Sequence, residues 1–180
     1  ARRGEIMRRA LGVEYDELLQ TQSGTRAVMQ VLSRVLDFVV DPTRSRALGE
    51  LFNTLVEADL AFVPQEADPE HVGRLLSSAP VEALLFPEPG TRRRDALPPR
   101  PETTAGDHVA IDRFCERAAR WVRASTLPVD EFLLTVGADL YTGQFDLTIV
   151  QQTATLMRRV ADQNPSWRMP ALAGELHEMV

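Results

Sequence analysis

The segment DHVAIDRFCERAARWV, residues 107–122, decides the fold that the sequence predicts. Apolar side chains recur in it on one side at helical spacing, namely Ala110, Ile111, Phe114, Ala118, Trp121 and Val122. This repeat of three and four residues predicts a long amphipathic α-helix that begins near Asp107. Such a helix needs partners to cover its apolar face, and the rest of the chain supplies similar segments.

The same periodicity predicts helices along most of the chain. With Thr25 as N-cap, the apolar residues between Val28 and Val39 predict a helix of about four turns, which Asp41-Pro42 ends. Other helices are predicted over 5–11 and about 43–59, from Asp68-Pro69, near 80–85, over 125–143, from Asp146 and from Pro170. One short strand is possible near residues 13–19. The predicted class is therefore all-α, with seven to eight helices.

Composition limits the classes of protein to consider. The chain has 180 residues, of which 44% are hydrophobic and 26% charged, as in soluble proteins. No apolar run approaches the roughly 18 residues needed to cross a bilayer. The single Cys115 allows neither an internal disulfide nor a cysteine zinc site. We therefore expect a cytoplasmic monomer that makes no membrane contact.

The basic residues exclude several enzyme classes. There are 20 of them against 26 acidic residues, which gives a net charge of −6, and every one is an arginine. Without lysine the chain has no P-loop lysine and no Schiff-base amine. We therefore expect no ATP hydrolysis and no cofactor in this segment. Since the sequence starts at Ala1 in mid-pattern, we also expect it to be a piece of a longer protein.

Residues 86–106 interrupt the helical pattern. Five of the twelve prolines lie here, together with the basic run Arg92, Arg93 and Arg94. Such composition predicts an exposed and mobile loop.

One arginine stripe is the candidate binding site. Arg113, Arg117, Arg120 and Arg123 follow i, i+4, i+7, i+10, so they share one side of the helix, away from its apolar face. Because guanidinium groups match phosphate oxygens, this stripe, assisted by Arg92 to Arg94, could contact nucleic-acid phosphates. The alternative is an ordinary solvated face balanced by Asp112 and Glu116.

The other chemically capable residues favour structural roles. His71, His108 and His177 lie on different elements, and none has a spacing that forms a closed metal set. Cys115 has no histidine beside it on its helix to lower its pKa, so a buried structural thiol is expected. An enzyme that uses His108 or His177 remains a third possibility.

Several segments resemble UvrD/Rep-type superfamily 1 DNA helicases. Residues 3–6 and 10–19 resemble the stretch after motif IV, and residues 36–54, with Asp41-Pro42 and Asn53-Thr54, resemble a helix pair of that family. Residues 114–140, with the joint Ser125-Thr126-Leu127-Pro128, are similar to the two long helices of the accessory subdomain. Residues 162–176 resemble the run before motif V. The family's Pro-x-Arg-Gly-Ile-Gly segment is replaced here by residues 55–60.

This resemblance implies that residues 1–60 belong to the second RecA-like motor domain and residues 61–180 to a helical accessory (2B-like) subdomain. It implies a non-catalytic segment of an ATP-dependent 3′-to-5′ helicase, which contacts duplex DNA and regulates unwinding in repair or replication. ATP and magnesium would be bound by the parent protein, whose remaining motor domains would be partners. The alternative function is a stand-alone all-α interaction or regulatory module, in which leucine and valine stripes form a groove or dimer face.

Overall fold

The computed structural model describes the backbone of residues 15–180 and the side chains from residue 24 onward. This part of the chain contains no strand, which confirms the predicted all-α class. None of its helices is both long and apolar enough to cross a membrane. The helices are α1 (Tyr15–Val40), α2 (Ser45–Glu57), α3 (Pro69–Ser78), α4 (Val81–Leu85), α5 (Ala105–Ala124), α6 (Val129–Leu140), α7 (Gln144–Gln163) and α8 (Met169–Met179), with a 3₁₀-helix at Arg93–Ala96.

Two local predictions are wrong. Helix α1 runs through Thr25, so this residue is not an N-cap, and residues 15–19 are helical rather than extended. Tyr15, Leu18 and Leu19 also have helical spacing, whereas a lone strand would leave its backbone groups without partners. Gly24 lies inside α1, which packs against α7. A Cβ at Gly24 would lie 3.4 Å from the Phe145 ring. Residues 13–14 and the predicted helix over 5–11 lie outside the described residues.

Helix α1 is the centre of the array. It contacts α2, α5, α6, α7 and α8. Its apolar stripe is buried, and Leu32, Val35 and Leu36 have no exposed surface. Burying a side chain of this size stabilises the fold by about 1.5–3 kcal/mol. The α1 stripe thus supplies the surface on which most of the other helices pack.

Helices α2 and α3 cross closely because each has a glycine at the crossing point. A Cβ at Gly49 would meet the Ser77 side chain and the Gly73 carbonyl, and a Cβ at Gly73 would meet the Asn53 side chain. This helix pair spans the predicted domain boundary at residue 60, and one continuous apolar core includes residues on both sides of it. The division into residues 1–60 and 61–180 stays a prediction.

The Pro/Arg-rich segment between α4 and α5 lies against the helices. Leu97 is buried in the core. Arg93 donates from Nε to the Leu84 carbonyl oxygen at 2.8 Å. The 3₁₀-helix therefore packs against α4.

Candidate nucleic-acid interface

The start of α5 is fixed by a buried carboxylate. Thr104 is the N-cap, and its hydroxyl oxygen accepts from the Asp107 backbone N–H at 3.1 Å. Asp107 accepts in return from the Thr104 N–H at 2.8 Å and, with its other oxygen, from the Asp68 N–H at 2.9 Å. Since Asp68 is itself the N-cap of α3, one side chain ties together the beginnings of two helices. The Asp107 carboxylate thus fixes the start of α5, the helix that carries the arginine stripe, relative to α3.

The predicted stripe lies on α5 as expected, but each of its arginines has a partner within the chain. Arg113, the first, lies over the ring of Phe62, with 3.9 Å between the guanidinium carbon and the ring centroid. A separation this short fits face-to-face stacking. Both side chains are exposed, Phe62 at 46%.

Arg117, the second, faces the protein. Its Nη1 donates to the Leu60 carbonyl oxygen at 2.8 Å. Burial lowers the pKa of this guanidinium; Asp139 acts in the opposite direction, and Arg120 adds to the lowering. Arg117 therefore ties the loop after α2 to α5 and offers little to an external phosphate.

That loop begins with a Schellman motif. The Leu60 N–H donates to the Leu55 carbonyl oxygen at 2.7 Å, and the Asp59 N–H donates to that of Val56 at 3.0 Å. Asp59 has a left-handed φ of 57°, in the position where glycine is usual. The motif turns the chain back toward α5, which brings Phe62 next to Arg113.

Arg120 and Arg123 complete the stripe. Arg120 Nη2 contacts Asp139 Oδ2 at 3.1 Å. The guanidinium of Arg123 lies 5.3 Å from the centroid of the Phe86 ring, which is 41% exposed. The stripe is therefore flanked by an exposed phenylalanine near each end.

The second predicted group, Arg92 to Arg94, contains residues of different exposure. Arg93 is mostly buried, with Nη1 at 3.4 Å from Asp112 Oδ1 and 3.6 Å from Glu116 Oε1. Arg92 and Arg94 are exposed, and Arg94 lies 3.9 Å from Asp95. Asp112 and Glu116 thus pair with Arg93, although the alternative interpretation assigned them to the stripe on α5.

His71 and Cys115 occupy structural settings. His71 is buried, and its Nε2 lies 3.0 Å from Thr103 Oγ1. Burial raises the pKa of the Cys115 thiol to about 12, against the thiolate form that a nucleophile needs. Within the described residues no three metal-ligating side chains gather into a metal site.

Sequence reasoning missed Phe62, Phe86 and Asp139. Each meets the stripe from another element, at a distance in sequence that no periodic pattern reveals. Phe62 and Phe86 lie in connecting segments between helices, where no helical periodicity marks them. No protein-family profile, curated protein or solved structure matches this chain.

Proposed function

We propose that this chain is a non-catalytic accessory segment of an ATP-dependent 3′-to-5′ DNA helicase of the UvrD/Rep type. In this proposal the α5 stripe contacts the phosphates of duplex DNA, and the segment regulates unwinding in repair or replication. ATP and magnesium are bound elsewhere in the parent protein, whose motor domains are partners of this segment. The chain acts in the cytoplasm as a monomer.

The proposal rests on how Arg113 and Arg123, the first and last arginines of the stripe, are positioned. A guanidinium is planar and carries its five N–H donors in that plane. Stacking on a ring uses the face of the group, so the donor edge of Arg113 stays available. Arg123 lies farther from its ring, at 5.3 Å from the Phe86 centroid, within the range of a cation–π interaction. Fixed side chains lose less conformational entropy when they bind an anion.

The charges around the stripe are compatible with this role. Asp112 and Glu116, the acidic residues of α5 next to the stripe, are paired with Arg93. This pairing reduces the repulsion that they would exert on a phosphate. Contacts of this kind position a protein on DNA without reading its sequence.

The arginines divide into two roles. Arg117 is used by the fold, and Arg120 is paired with Asp139. Arg113 and Arg123 are the primary phosphate contacts in this proposal, and the exposed Arg92 and Arg94 are additional contacts.

Salt-dependent binding to duplex DNA tests the proposal. The purified chain should bind a short labelled duplex weakly, with affinity falling steeply between about 50 and 200 mM salt. The double variant Arg113→Gln/Arg123→Gln should flatten the slope of log K against log salt by about 0.9 for each lost contact.

Arg46→Gln/Arg159→Gln is the matched control, because it removes the same charge from exposed positions on α2 and α7. If both double variants change the salt dependence of DNA binding equally, then binding depends on net charge alone and the stripe has no specific part in it. A tight dimer in gel filtration, with no shift on adding DNA, would favour the interaction module instead. The valine and leucine stripes that such a module needs are buried in the core in the described part of the chain.

A further inference from the structure

Two exposed phenylalanines lie beside the first and last arginines of the stripe on α5. Phe62 and Phe86 come from separate loops, and each lies against an arginine of the stripe. Both rings are more than 40% exposed. Arg113 and Arg123 are ten residues apart, which is about 15 Å along a helix.

We propose that these two arginine–phenylalanine pairs form a stacking surface for the bases of a single DNA strand. The inference rests on the proposed function, and it adds unpaired nucleotides to the ligands of the same site. A duplex keeps its bases stacked inside, so it offers only phosphates to this surface, whereas a single strand offers both phosphates and base faces.

The chemistry of the pairs fits that ligand. Surfaces that bind single strands without sequence preference combine positive charge with side chains on which bases stack. Bases stack on aromatic rings and on guanidinium planes alike. Each pair provides one flat guanidinium and one flat aromatic ring next to each other.

The fold holds the surface in place. Arg117 fastens the loop of Phe62 to α5 through the Leu60 carbonyl oxygen. Arg93 fastens the segment after Phe86 through the Leu84 carbonyl oxygen and the α5 carboxylates. Arg117 and Arg93 are therefore positioning residues for the two rings.

The test compares two labelled strands of equal charge, a 12-nucleotide oligothymidylate and a 12-nucleotide strand that lacks bases. At about 50 mM salt the wild-type chain should bind the oligothymidylate about 25-fold more tightly or better, because each of two stacked bases contributes a factor of about five or more. Phe62→Leu/Phe86→Leu should lose most of this preference. Phe62→Trp/Phe86→Trp should keep it, since tryptophan restores a flat ring.

Phe145→Leu is the matched control, because Phe145 is 50% exposed and lies on α7. Thermal melting of each variant shows whether it is folded. Equal wild-type affinity for the two strands overturns the inference, and so does a loss in the control as large as in the double variant. If duplex binding still depends on Arg113 and Arg123, the proposed function stands without the inference. If the chain binds neither duplex nor strand, both fail.

Discussion

The buried indole of Trp121 donates its Nε1–H to Asp139 Oδ2 at 3.1 Å, and the same oxygen accepts from Arg120 on the exposed side of α5. Trp121 has no exposed surface. Asp139 therefore joins the core to the proposed interface and connects α5 with α6.

Asp139→Ala should lower the free energy of unfolding by about 2 kcal/mol. The change leaves the buried indole N–H without its acceptor, and an unpaired buried donor costs roughly 1–3 kcal/mol. Urea unfolding followed by circular dichroism measures the loss. Asp162→Ala is the control at an exposed position, where the expected change is within about 0.5 kcal/mol. Equal losses in the two variants would contradict this role of Asp139.

Asp107→Ala should destabilise the chain by about 2 kcal/mol or more. It removes two acceptor oxygens that bind the Thr104 and Asp68 backbone N–H groups, and a lost helix cap alone costs about 1 kcal/mol. Asp112→Ala, on the same helix, removes an exposed carboxylate, and its cost should be below about 1 kcal/mol. Denaturant unfolding compares the two. A cost for Asp107→Ala no larger than for Asp112→Ala would show that the shared cap adds little.

Gly137→Ala should destabilise the packing of α6 on α7 by about 1–3 kcal/mol, as overpacking does. A Cβ at this position would collide with the Val150 side chain. Val150→Ala makes room for it, so the double variant should be more stable than the sum of the two single effects predicts. A double-mutant cycle in urea measures this coupling. Strict additivity would mean that shortening Val150 does not relieve the effect of the added Cβ, which would contradict the proposed collision.

Asp37→Asn should stabilise the chain at neutral pH. Burial raises the pKa of the Asp37 carboxyl above 3.8, while His177, Arg34 and Arg44 act to lower it. The folded chain then binds this proton more tightly than the unfolded chain, so the charged carboxylate costs stability above the folded pKa. The advantage of the variant should shrink as pH falls through the raised pKa toward 3.8. Unfolding at a series of pH values measures it, and an advantage that grows on acidification would contradict the sign.

The helices were predictable because their signals are local. Asp68-Pro69 marks the start of α3, and Asp68 Oδ1 accepts from the Glu70 N–H at 3.0 Å. The apolar spacing between Val28 and Val39 likewise predicted a buried stripe, which is confirmed. Thr25 failed as a boundary because α1 continues through Gly24 and packs against α7, and tertiary packing outweighs the low helix propensity of glycine.

The candidate site was predictable only in part. Spacing placed four arginines on one side of α5, since helical geometry fixes the direction of each side chain. It could not give their partners. Phe62 reaches Arg113 through the Schellman turn at Asp59, and Asp139 reaches Arg120 from α6. Such pairs depend on how helices pack, which sequence periodicity does not encode.

Helix α1 bears on five other helices, so bending the array internally would break several close-packed surfaces at once. A force applied at α5 should therefore rotate the whole array as one rigid body rather than separate its helices.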